Sequence, residues 1–128
     1  MKLRLRGNSL RLRLNRSEVA DLIRTGTLEE AVAFGPHPEQ RLVYAVGLVP
    51  GGEEMAPTAS LEGARVLVQL PLAAAQAWAE GDMVGLYAET DWGLKIAVEK
   101  DFKCLEPRTH EDESDAFDHP GGTSHCKV

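Results

Sequence analysis

At 128 residues, with 43% apolar and 27% charged side chains, the chain is sized for one domain that buries roughly two-thirds of its unfolded surface without staples. A net charge of −6 argues against a broadly basic nucleic-acid binder, and no apolar run approaches the roughly 20 residues that cross a bilayer. The N-terminal cations are not followed by the apolar stretch of a signal peptide, so the expected location is the cytoplasm, with no membrane or nucleic-acid partner.

The first sixteen residues, MKLRLRGNSLRLRLNR, carry six cations (Lys2, Arg4, Arg6, Arg11, Arg13, Arg16) and no acid, with leucines in alternate positions. Strict alternation marks strands with one buried face. Gly7-Asn8-Ser9 shifts the alternation from odd to even positions, which predicts two short strands joined by a tight turn. Such a ribbon buries Leu3, Leu5, Leu10, Leu12 and Leu14 and displays a band of positive charge.

Asn15, with Glu18 three positions on, has the capping-box pattern, and Ser17 is an alternative cap. Val19, Leu22 and Ile23 share one face of the helix that follows, and Gly26 ends it. Strands are predicted over 28–34 and 41–49, separated by Gly35-Pro36-His37-Pro38, and a loop over 50–63. A strand over 64–70 then leads through Pro71 into an Ala-rich helix over 72–80, stopped by Gly81. A hairpin over 82–89 and 94–100 follows, turning at Thr90-Asp91-Trp92-Gly93. LRLRLNRSEVADLIRTG and VLVQLPLAAAQAWAEG share the order strand, cap, helix, glycine, which suggests a duplicated β-α-β-β unit with an added N-terminal strand.

The expected fold is therefore α+β: a curved antiparallel sheet of about seven strands with two helices on one face. Residues 1–105 form the domain and residues 106–128 an acidic C-terminal tail. The expected core includes Leu12, Val32, Phe34, Leu42, Tyr44, Val46, Val66, Val68, Val84, Leu86, Leu94, Ile96 and Val98. The opposite face collects Arg4, Arg6, Arg11, Arg13, Arg65, Gln69, Lys95, Glu29 and Glu99, interspersed with alanine and glycine. An antiparallel sheet with one solvated face already accounts for such a pattern.

Two constellations carry chemistry. Arg4, Arg6, Arg11 and Arg13 could hold a small anion, since guanidinium groups on adjacent strands grip phosphate or carboxylate in bidentate fashion. Glu29 and Glu99 could bring Mg to the same face, a set suited to metal-assisted hydrolysis of phosphate esters or polyphosphate. In outline, the duplicated plan with inward cations is similar to the triphosphate-tunnel family, in which an antiparallel barrel encloses the substrate. The first strand of that family alternates glutamates, whereas this chain has Lys2-Leu3-Arg4-Leu5-Arg6.

The second constellation is C-terminal. Cys104, His119, His125 and Cys126 could form a tetrahedral Zn site. Free thiols in a reducing compartment come before that reading, and a Cys104–Cys126 disulfide after it. The run Glu111-Asp112-Glu113-Ser114-Asp115 lacks the glycine and terminal glutamate of a calcium loop. Trp78 and Trp92 are expected to pack rather than to stack on bases. No phosphate loop, nucleophile elbow or H-E-x-x-H is present.

MKLRLRGNSLRLRLNRSEV at one end and VEKDFKCL with EDESDAF at the other resemble a family of small bacterial proteins of unknown function. The resemblance covers residues 1–19 and 98–117 and implies no reaction. It draws attention to the two ends. If residues 94–100 pair near the ribbon, then Glu99, Asp101 and the tail lie close to Arg4, Arg6, Arg11 and Arg13. The leading functional expectation is a non-enzymatic binding or regulatory module whose cationic face is covered by its own acidic tail. Metal-dependent hydrolysis and a zinc-stabilised structural module are the alternatives.

Overall fold

The computed structural model describes residues 1–102, and the C-terminal cysteine and histidine residues and the acidic run lie outside them. Eight strands and two helices follow in order. They are β1 (Lys2–Arg6), β2 (Ser9–Leu14), α1 (Arg16–Thr25), β3 (Thr27–Ala33), β4 (Arg41–Val49), β5 (Thr58–Glu62), β6 (Arg65–Pro71), α2 (Leu72–Glu80), β7 (Gly85–Glu89) and β8 (Lys95–Lys100). The fold is α+β. None of the described helices is long and apolar enough to cross a membrane.

The single antiparallel sheet expected from the sequence is instead two four-stranded sheets, ordered β1-β2-β8-β7 and β3-β4-β6-β5. Each consists of two antiparallel hairpins joined through a parallel central pair, β2 with β8 and β4 with β6. Part of the expected loop over 50–63 is strand: Thr58–Glu62 pairs with β6. The repeat unit is therefore β-β-α-β-β, and the N-terminal strand has its counterpart in β5. Ser9 pairs with Lys95 as Arg65 pairs with Val43, so the two sheets are related by a pseudo-two-fold.

The first hairpin turns through Gly7-Asn8, with Arg6 paired to Ser9, and β5–β6 turns through Gly63-Ala64 in the same way. Gly7 and Gly63 have φ of 55° and 56°. A glycine in the first central position matches the type II′ turn that suits strand twist. Because the turn has two residues, odd positions of β1 face the same way as even positions of β2. That is the physical origin of the phase shift in the leucines.

Asn15 and Glu18 form the reciprocal capping box at the start of α1, and Gly26, at φ 87°, caps its end. Helix α1 packs on β2, β3 and β4, and α2 on β4, β6 and β7; the helices also touch each other. The two helices and the inner faces of both sheets thus share one core, which includes Leu12, Leu14, Leu22, Val46, Val68, Leu70, Trp78 and Val98. The Trp78 indole N–H donates to the Val84 carbonyl at 3.1 Å, so its burial leaves no donor unpaired. Three residues expected in the core are exposed: Phe34 at 76%, and Val32 and Val84 at about half. Leu5 is exposed as well. All four have the parity of inner positions, but parity fixes only a direction, and burial also needs something on the other side.

Met1 ties the sheets together. Its α-amino group pairs with both Glu18 and Glu30, the latter at 2.7 Å. Glu18 belongs to α1 and Glu30 to β3, while Met1 precedes β1. Burial alone would lower the amine pKa, but the hydrogen bonds and charges of the two glutamates outweigh it and raise the value. Glu30 also accepts from the Tyr44 hydroxyl at 3.3 Å.

Candidate functional site

The outer face of the first sheet is a grid set by strand register. Across β1, β2, β8 and β7 one row reads Arg6, Ser9, Lys95, Glu89, the next Arg4, Arg11, Ala97, Tyr87, and the third Lys2, Arg13, Glu99, Gly85. The four arginines singled out in the sequence therefore project together, and they line one open cleft of about 980 Å³. The small side chains of Ser9 and Ala97 form its floor.

Within the grid, Arg4 lies directly opposite Arg11 and Lys2 directly opposite Arg13. Like charges at opposed antiparallel positions destabilise a sheet. The third row is compensated. Lys2 Nζ is 2.9 Å from an Asp101 carboxylate oxygen, and Glu99 Oε1 lies 3.3 Å from Arg11 Nε and 3.5 Å from Arg13 Nε. The other Glu99 oxygen accepts from the Tyr87 hydroxyl at 2.7 Å. Burial raises the Tyr87 pKa, and its bond to the Glu99 charge adds to the rise, with Arg11 and Arg13 pulling it back. The far end of the grid lacks such partners: among the described residues, Arg4, Arg6 and Lys95 have no carboxylate within 4.0 Å.

Glu29 and Glu99 are not brought together. Glu29 lies on β3 in the second sheet and pairs with Arg65, while Glu99 lies on β8 in the first and serves Arg11 and Arg13. The single charged face expected from parity divides between two sheets, with Arg65, Gln69 and Glu29 on the second. The described residues hold no group of three or more His, Cys, Asp or Glu placed to bind a metal. Cys104, His119, His125 and Cys126 lie outside the described residues.

Two contributors to the cleft were not singled out from the sequence. In the sequence Lys95 is one cation among many on the expected face, and Tyr87 sits inside a hairpin with no chemical motif around it. The alternation in Gly85-Leu86-Tyr87-Ala88-Glu89 was the available signal, because it sends Tyr87 and Glu89 to the side opposite Leu86. Asp101 is a further feature: one carboxylate oxygen takes Lys2, and the other is buried without a hydrogen-bond partner among the described residues.

Comparisons with curated proteins and with solved structures gave no match. A family model described as "Family of unknown function (DUF7009)" matches residues 1–121, and the chain belongs to that family.

Proposed function

We propose that the protein is a non-enzymatic binding module whose ligand-binding surface is the cationic outer face of the first sheet. Arg4, Arg6, Arg11 and Arg13, joined by Lys95, are its anion-binding residues. The observation that carries this reading is the gathering of Arg4, opposite Arg11, with Arg6 and Lys95 at one end of the face, none of the three with a carboxylate within 4.0 Å among the described residues. Folding gains nothing from that placement, and a bound anion would relieve it.

The acidic segment Glu111-Asp112-Glu113-Ser114-Asp115 is the proposed intramolecular cover of this face. The described chain ends at Phe102, next to Asp101 and its partner Lys2, at the Arg13 end of the grid. Residues 103–110 span roughly 25 Å when extended. The face is about 13 Å long between its first and third rows. The linking residues are therefore long enough for the segment to span the whole arginine face.

Titration of the full chain with inorganic phosphate, followed calorimetrically at low salt, tests both parts. Binding should weaken several-fold in Arg4→Ala and as salt is raised. It should strengthen several-fold when Glu111, Asp112, Glu113 and Asp115 are changed to their amides. Absence of phosphate binding in both forms would remove the proposal, and equal binding in both would remove the cover.

A further inference from the structure

The cations of the face are not equivalent, and the difference defines what fits there. Glu99 is only 14% exposed and is fixed from three sides: by Arg11, by Arg13 and by the Tyr87 hydroxyl. Gly85, its register partner on β7, makes the space for it. A Cβ at Gly85 would come within 2.8 Å of the Glu99 side chain, 2.9 Å of the Tyr87 hydroxyl and 2.7 Å of the Val98 carbonyl. This is a seat for a carboxylate, built from three strands. At the other end of the cleft, Arg4, Arg6 and Lys95 are exposed and Ser9 lies between Arg6 and Lys95. The Ser9 hydroxyl is already committed to the Arg6 carbonyl at 2.5 Å, so the ligand donors there are the cations alone.

Resting on the reading of this face as an anion site, we infer that Glu99 is a resident anion: it fills the Arg11–Arg13 end of the cleft, so the ligand is a compact phosphoryl group held at the open end by Arg4, Arg6 and Lys95. Arg6 and Lys95 stand two strand spacings apart, about 10 Å, and Arg4 is the next outward position along β1. Three long side chains from those positions converge over Ser9 on one tetrahedral dianion. An extended polyphosphate would have to run on past Arg11 toward Arg13, whose guanidinium groups already hold the Glu99 carboxylate, and it would have to compete with that carboxylate for them. Glu89, an exposed residue opposite Lys95, adds a second carboxylate at the β7 edge of the site. The ligand class is accordingly a phosphate monoester or inorganic phosphate, and Glu99 sets that specificity.

Inorganic phosphate and tripolyphosphate are the probes, used on the full chain and on Glu99→Gln, which keeps the size of the side chain and removes its charge. The wild type should bind phosphate in preference. The Glu99→Gln variant should gain at least tenfold in tripolyphosphate affinity and less than threefold in phosphate affinity. A second measurement needs no variant: in the wild type, phosphate should move the Nε–H signals of Arg4 and Arg6 and leave that of Arg13 in place. Equal gains for both anions, or an Arg13 signal that moves together with Arg4, would overturn the division of the face while leaving it an anion site. No response to either anion in either form would instead remove the underlying reading.

Discussion

The α-amino group of Met1 holds two carboxylates that arrive from different elements, and its chemistry gives the fold a pH dependence. Its pKa is raised in the folded state above the ordinary value of 8.0. The protonated amine therefore contributes stability that is fully present below pH 8.0 and is lost as pH rises through the folded value. Nα-acetylation removes the same charge at every pH. We expect the acetylated chain to be less stable at pH 7 by about 1 kcal/mol, as for a partly screened ion pair. That gap should close on the alkaline side. Paired urea denaturation curves at pH 7 and pH 10 check this, and a gap that is constant with pH would contradict it. Glu18 has a second duty, because one of its oxygens accepts from the Asn15 backbone N–H at 2.9 Å in the capping box. Glu18→Ala should therefore cost more than Glu30→Ala, by about 1 kcal/mol for the cap.

The register of the central strands explains what two glycines are for. Gly47 on β4 is the pseudo-symmetric equivalent of Glu99 on β8: each lies opposite the first residue of its neighbouring edge strand, Thr27 and Gly85 respectively. Nothing approaches a Cβ at Gly47 more closely than 3.8 Å, whereas three atoms meet one at Gly85 within 3.0 Å. Gly47→Ala should then stabilise by about 0.5–1 kcal/mol through the unfolded chain. Gly85→Ala should destabilise by about 1–3 kcal/mol through overpacking, and it should displace Glu99. Thermal unfolding of the two variants gives the comparison, and equal shifts would show that the Glu99 seat is not tightly built. Local elements were legible before any coordinates because their signals are local: the leucine phase shift for the β1–β2 turn, the Asn15–Glu18 box for α1, and glycine after the last apolar turn. Strand β5 was not. Thr58-Ala59-Ser60-Leu61-Glu62 has weak strand propensity and follows Pro and Gly, and only its pairing with β6 makes it a strand.

At the scale of the whole molecule, pairing across the pseudo-two-fold was hidden for a different reason. The sequence shows which residues alternate but not which hairpin lies beside which, so Arg65 and Glu29 fell on the same expected face as Arg13 and Glu99. The four arginines survived that error because they sit on one hairpin, where register is fixed by a two-residue turn. The exchange of partners has a mechanical consequence. In the first half of the chain, hairpin β1–β2 joins the sheet of β7–β8, while β3–β4 joins that of β5–β6. Neither half contains two hairpins that pair with each other. Each would leave the inner edges of its β2 and β4, or of its β6 and β8, unpaired, together with half of a shared core. Chains cut within 50–57, the connection between β4 and β5, should accordingly be unfolded as separate monomers and should fold when mixed. Amide proton spectra of residues 1–53 and 54–128, alone and combined at equal concentration, measure this. Dispersed signals from either piece as a monomer would mean that its hairpins find a partner within the same half, which is incompatible with the observed strand order. Recovery of the phosphate response on mixing would further require β1–β2 and β8 to meet again, since Arg4 and Arg6 come from one piece and Lys95 from the other.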